Sequence, residues 1–337
     1  MIFSSAATTS AGSNERVLQP GYIDYNTHTG LLDDVMRGKR EQPKDGLRFG
    51  RTDVSLEIRY HYAANSGAER FSYDESGFRT YFGFDTKINE QWRLINVMEM
   101  QNNIKNYDDS FDAFANVYVS GQLAPDQRLD LGKFYYMMAD GNIYDSALTG
   151  ARYSFGGPVK YAFAYGDTND TKKTGVFTAK YDSHDFSLDA GVYRYEYKTN
   201  YNVPHKNTLV TLGAKYYFKD FTLGALFLGA NKVDAADNKN GYILSLKYGN
   251  VKTWVPKTYA LHFRYYDQPR GTYIAHGMNG MNGRGYEMIG FKGSCVGINY
   301  ALAKNVLFTS EYYDLNDKAK VADKKNKSWF TSISFFF

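Results

Sequence analysis

The sequence predicts an all-β chain, a transmembrane antiparallel β-barrel of about sixteen strands. Three observations carry that expectation. Strand-like runs alternate apolar and polar residues with period two. The connections between those runs alternate between short and long. The chain ends in "SWFTSISFFF", residues 328–337. Mean hydropathy is only −0.52, and 23% of the residues are charged. A soluble domain would not leave Trp329, Ile333, Phe335 and Phe337 at a terminus, where chain ends normally meet water.

Composition supports strands. Phe, Trp and Tyr make up 17% of the 337 residues, with 31 Tyr, 23 Phe and 3 Trp, beside 31 Gly and 7 Pro. Strand formers with glycine and little proline favour many hairpins. The formal charge of +4, from 40 basic and 36 acidic residues, is too mild to argue for nucleic acid. The aromatics also lie in strand-like runs, not clustered with Lys and Arg as in a single-strand-binding groove. A lone cysteine, Cys295, excludes an internal disulfide framework and a zinc site built on paired cysteines. No stretch approaches the ~18–20 apolar residues of a membrane helix. The opening "MIFSSAATTSAGSNE" has neither a basic nor an apolar signal-peptide region, so an exported protein would be numbered here from a processed or engineered start.

The first run sets the pattern. In 52–62, Val54, Leu56, Ile58, Tyr60 and Tyr62 alternate with Ser55, Glu57, Arg59 and His61, which gives a strand with one apolar face. Similar runs follow at 78–88, 92–100, 113–123, 128–136 and 147–155. Others lie at 160–165, 174–181, 186–195, 208–218 and 221–229. The last are 242–248, 259–266, one ending at 300, 306–314 and 327–337. The phase is ambiguous in 92–100 and around Gly293–Cys295. Short connections fall at 89–91, 124–127, 156–158, 182–185, 219–220 and 302–305. Long polar ones intervene at 64–77, 198–207, 231–241, 267–285 and 315–326, and only 249–258 breaks the rhythm. Short turns at one end and long loops at the other mark an outer-membrane barrel; a soluble sandwich would not sort its connections by parity.

The terminal strand then turns Trp329, Thr331, Ile333, Phe335 and Phe337 to lipid and Ser328, Ser332 and Ser334 inward. Closure against the first strand pairs its backbone, as a membrane requires. Trp92, Trp254 and Trp329, with strand-end tyrosines, are placed to form aromatic girdles at the two interfaces.

About sixteen strands leave an aqueous channel. Glu57, Arg59, Arg79, Arg152, Lys180, Lys215, Lys247, His262, Arg264 and Glu311 fall on the inward phase. An Arg or Lys turned to the bilayer midplane would cost ~2–4 kcal/mol. Such rows set ion preference across a narrow opening; the competing reading is plain solvation of a wide lumen. Residues 1–51 precede the barrel domain, 52–337, as a polar irregular segment, either a periplasmic linker or a lumenal plug. The six histidines show neither metal-ligand spacing nor a nucleophile motif. "GMNGMNGRG" (277–285) reads as a glycine-rich loop tip. "DDSFD" (108–112) and "DAADN" (234–238) read as solvated loop charge. No catalytic residue, metal or cofactor is expected.

Three stretches, "YFGFDTKINEQWRL" (81–94), "LDLGKFYYMMADGNIYDSALTGARYSFGG" (129–157) and "NYALAKNVLFTSEYYDL" (299–315), together with the terminal Phe, resemble the trimeric general porins of bacteria. Within them the chain is most similar to the barrel part of OmpM-type porins of diderm Firmicutes. The resemblance implies a sixteen-stranded homotrimer in the outer membrane that passes small hydrophilic solutes and ions by passive diffusion. It also implies a terminal aromatic strand, with Trp329, Ile333, Phe335 and Phe337, that the barrel insertion machinery reads. Partners would be outer-membrane lipid and lipopolysaccharide. In general porins the third long-side loop, here within 135–150, folds into the barrel; Asp140 and Asp145 would then face the Arg59, Arg79 and Arg152 wall, with Lys247, Arg264 and Glu57 also lining the pore. Residues 1–51 show neither the S-layer-homology module nor the coiled-coil stalk of those relatives. The alternatives are a substrate-selective channel and a barrel acting mainly as a structural anchor; an enzyme would need a Ser/His or Asp/His group converging at one rim.

Overall fold

The computed structural model describes residues 47–67, 74–198, 205–234, 237–279, 290–318 and 325–337. A ring of sixteen antiparallel strands closes on itself. In chain order they are β2 (Thr52–Gly67), β3 (Asp74–Lys87), β4 (Trp92–Lys105), β5 (Ser110–Ala124), β6 (Gln127–Met138), β7 (Tyr144–Phe155), β8 (Val159–Thr168) and β9 (Thr171–Asp182). The second half holds β10 (Phe186–Tyr197), β11 (Lys206–Phe218), β12 (Phe221–Ala230), β13 (Asn240–Gly249), β14 (Tyr259–Gln268), β15 (Phe291–Ala303), β16 (Val306–Asp317) and β17 (Lys325–Phe336). Each pairs with the next, and β17 pairs with β2 from Asn326↔Gly67 to Phe336↔Glu57.

The alternating pattern sorts the two faces. Leu94, Phe163, Leu212, Leu244, Phe263 and Phe335 are exposed on the outer wall, while Glu57, Arg59, His61, His262 and Glu311 are buried inside. The ambiguous phase of β4 has a cause. Ile95 and Val97 are buried on the inner side, with Leu94 exposed outside, so both faces are apolar. Irregular registers at Val97/Glu99 and Ser76/Gly77 blur it further.

The connections differ from expectation mainly at the long-loop end. The predicted loop 64–77 shrinks to 68–73, because β2 runs on to Gly67 and β3 begins at Asp74. The ladder continues there through polar residues, where both faces are wettable and the hydropathy signal fades. The predicted loop 135–150 likewise shortens to 139–143. The 169–170 turn is as tight as any at the opposite end, closed by hydroxyl bonds from Thr168 to Thr171 (2.8 Å) and from Thr171 to Thr174 (2.5 Å). The connection after β14 is longer than expected, 269–290, and its glycine-rich part, 280–289, lies outside the described residues, as do residues 1–46.

Part of the segment preceding the barrel is a strand, β1 (Leu47–Phe49), which pairs with Thr52–Val54 at the foot of β2. It takes the edge that β17 vacates, since Phe337 and Leu56 exchange the last backbone bonds at 2.9 and 3.1 Å. An aromatic belt runs round the short-turn end. Tyr153, Phe155 and Tyr161 stack at 5.2 and 5.3 Å, Tyr181 meets Phe186 at 5.7 Å, and Phe221, Tyr248 and Tyr259 follow at 4.8 and 6.2 Å.

Candidate functional site

The lumen is narrowed by a piece of its own wall. β5 pairs with β6 only from Lys133 downward, and β8 pairs with β7 only from Leu148 downward. Above those levels Phe134–Met138 and Tyr144–Ala147 pair with the facing arm of the hairpin and not with β5 or β8. The hairpin thus leaves the ring, and Phe134, Met138, Ile143 and Tyr144 on it are almost fully buried. Apolar packing on both faces lets these residues quit the wall. At the tip, Ala139 and Asp140 adopt positive φ, 50° and 53°, and Asp140 forms an ion pair with Lys215 of β11. Burial raises the Asp140 carboxyl, but the charge and hydrogen bond of Lys215 outweigh it and hold the group below the ordinary aspartate range.

The connection after β14 completes the constriction. Ile274 N donates to Ile143 O at 2.7 Å, and Tyr144 and Ala275 form a parallel bridge. Gln268 Nε2 reaches Asn142 O at 3.0 Å. A single 3-10 turn, Arg270–Thr272, sits between. Its Arg270 is buried and donates to Tyr197 Oη (3.0 Å) and Tyr273 O (2.7 Å). Tyr195 Oη and Asn207 Nδ2 both donate to Gly271 O, at 3.0 and 2.8 Å. The wall strands β10 and β11 therefore pin this segment. Burial, with Arg264 nearby, pushes His276 down to about 3, so its imidazole is neutral at any ordinary pH. Where hairpin tip, β11 and β14 meet, a cavity of about 50 Å³ is lined by Asp140, Asn142, Asp189, Lys215, Ser245 and Arg264. A wider vestibule of about 620 Å³ opens at the short-turn end among Asp85, Arg93, Ser120, Gln122 and Arg128.

The predicted pore-lining residues fall into separate clusters. Arg59 and Arg79 stand directly opposite each other on β2 and β3. Arg79 is held by Glu99 at 2.6 and 2.7 Å and lies over the Tyr81 ring. Arg59 is buried and, among the described residues, has no ion-pair partner; its Nε is unpaired, like Nδ1 of His61 beside it. Glu57 faces Tyr81 across the β2–β3 pair. Arg152 is committed elsewhere: it grips Asp130 at 2.7 and 2.9 Å and stacks under Phe134 (4.7 Å) and Tyr136 (5.4 Å), at the root of the hairpin. Lys247 faces His262 across β13 and β14, and Arg264 faces Cys295 across β14 and β15.

Asp140 and Asp145 do not meet the Arg59, Arg79 and Arg152 wall. Asp140 takes Lys215, and Asp145 accepts the Tyr135 hydroxyl inside the hairpin. The reason is direction: the hairpin bends toward β11, away from the β2–β3 arc. Sequence reasoning placed Lys215 on the lumen side but gave no signal for its partner, 75 residues away. The Arg270–Tyr197–Tyr273 cluster was missed because it forms between a wall strand and a loop. Trp329, Phe335 and Phe337 are exposed on the outer face of β17, and Ile333 shares that face.

No protein-family model matches the sequence, and no curated protein does. Solved structures do match. OmpF of Salmonella typhi, in complex with daunomycin, aligns with TM-score 0.57 and 13% identity over 87% of this chain and 100% of that one. The trimer form of OmpT, an outer membrane protein of Vibrio cholerae, gives 0.55 and 12% over 86% and 100%. A variant of the Rh. blastica porin gives 0.51 and 12% over 85% and 100%. At these identities the likeness is one of fold: a closed barrel of the porin type.

Proposed function

We propose that the chain forms a channel in a bacterial outer membrane, through which small hydrophilic solutes and ions pass by passive diffusion. One observation carries the reading: a closed ring sorts its side chains, apolar outward and polar inward, and a hairpin cut from that ring narrows the inside. Every backbone group of a membrane-spanning segment needs a partner, and closure supplies one. The outer apolar wall with its aromatic belt suits a bilayer, with the short turns periplasmic and the longer loops extracellular. The barrel works as a channel and not as an enzyme, and the neighbours described as porins favour that choice. A homotrimer is supported by the trimer form of one structural neighbour, OmpT of Vibrio cholerae. The OmpM-type relationship rests on the sequence stretches alone, and contact with lipopolysaccharide and the insertion machinery belongs to the same proposal.

The selective-channel reading needs the loops to meet over a ligand-sized site. Where they meet, Asp140 is already taken by Lys215, which favours general diffusion. Planar-bilayer recording of purified protein tests it. Conductance steps arriving in threes support a trimeric channel; an electrically silent, folded barrel in the bilayer ends the proposal and favours a structural anchor.

A further inference from the structure

The topology gathers three side chains that the sequence keeps apart. His262 of β14, Cys295 of β15 and Glu311 of β16 all face inward and are buried, and one donor atom from each lies within 4.8 Å of the others. His262 and Glu311 already touch, Nε2 to Oε1 at 3.0 Å. The residue between them in register is Gly297. A Cβ there would stand 2.5 Å from His262 Nε2 and 2.9 Å from Glu311 Cγ, so glycine is what allows the imidazole and carboxylate to converge. The other carboxylate oxygen is held by Tyr313 Oη at 2.7 Å and Asn279 Nδ2 at 3.2 Å.

We propose that His262, Cys295 and Glu311 form a binding site for a single borderline or soft divalent metal ion of the Zn2+ class. The donor set decides the class. A thiolate with an imidazole selects zinc-like ions over Ca2+ or Mg2+, which prefer oxygen. Three protein donors leave a fourth tetrahedral position open. Bond lengths of about 2.0–2.3 Å put tetrahedral donors about 3.3–3.8 Å apart, so the widest pair must close by about 1 Å, within reach of a Cys and a Glu rotamer. Binding forms the metal–sulfur, metal–nitrogen and metal–oxygen bonds. It breaks the His262–Glu311 hydrogen bond, whose proton moves to the imidazole Nδ1 or leaves to water, and it releases the thiol proton to water. Tyr313 and Asn279 orient the carboxylate from behind, as outer partners of metal ligands do. Asn279 belongs to the constricting segment after β14, so an ion here would be tied to that segment through Glu311.

Cd2+ is the probe, because its bond to thiolate gives a charge-transfer absorption. Detergent-purified protein titrated with Cd2+ should show that absorption, saturating at one ion per chain. Cys295→Ser should abolish it, and His262→Gln should weaken binding. Tyr313→Phe, which spares all three ligands, should weaken binding by about 10–100-fold. Heat-modifiable gel mobility certifies that each variant has folded. A folded wild type without the absorption, or a Cys295→Ser variant that holds Cd2+ as tightly as wild type, overturns the site.

Discussion

Arg59 and Arg152 share a charge and an inward phase, yet their surroundings give them different tasks. Arg152 is tied to Asp130, which is only 1% exposed, and to the rings that root the hairpin. Arg152→Gln removes both bonds to Asp130 Oδ2 while Arg128 and Ser120 still hold Oδ1, so it should cost about 1–3 kcal/mol in detergent unfolding titrations. Arg59 and Arg79 stand side by side, and the one carboxylate there, Glu99, is held by Arg79, so the pair leaves positive charge facing the lumen. Neutralising both, by Arg59→Gln and Arg79→Gln, should move the reversal potential in a salt gradient toward cations; no shift removes them from the ion path. Inward placement was legible from alternation alone, because a misplaced charge costs so much in lipid. Partnership was not, because Arg152 finds Asp130 22 residues away and His262 finds Glu311 49 residues away. Histidine spacing along the chain likewise said nothing of a cluster assembled across three strands.

The β6–β7 hairpin is an element whose pairing partners matter more than its sequence. Residues 133 and below, and 148 and above, belong to the wall; the part between belongs to the lumen. The tip pair of Asp140 and Lys215 is part-exposed, so Asp140→Asn should remove about 1 kcal/mol at most. The released tip would rise about five-fold at most in population, read as longer dwell in a higher-conductance level. The sign with pH follows from the lowered carboxyl of Asp140. Its contribution is complete above the ordinary aspartate value and fades as pH falls through the depressed one. Wild type should therefore resemble Asp140→Asn only in strongly acidic solution, and a wild type that opens already near neutral pH would remove the lock. Strand positions were legible because alternation has period two everywhere the wall separates lipid from lumen. Strand ends were not, because above the apolar band both faces are polar. The inward bend was invisible because Phe134, Tyr135, Tyr136 and Met138 read equally well as wall or as filling.

At the scale of the molecule, closure is the single event on which the rest depends. β17 satisfies one edge of β16 and one of β2. Deleting 329–337 would leave both open, and the unpaired groups are intolerable in hydrocarbon. Such a chain should show no heat-modifiable form and no conductance. Removal of Phe337 alone costs two backbone bonds to Leu56, about 1–3 kcal/mol, and should leave a folded barrel with a lower unfolding midpoint. The hairpin that quits the ring has one more consequence. An appended plug could slide by any amount, but a leaf cut from its own pipe pivots only where its rungs begin, at Lys133 and Leu148. The contact that holds its tip, Asp140 with Lys215, is either made or broken, so current through this protein should come in distinct levels and not as a continuous drift.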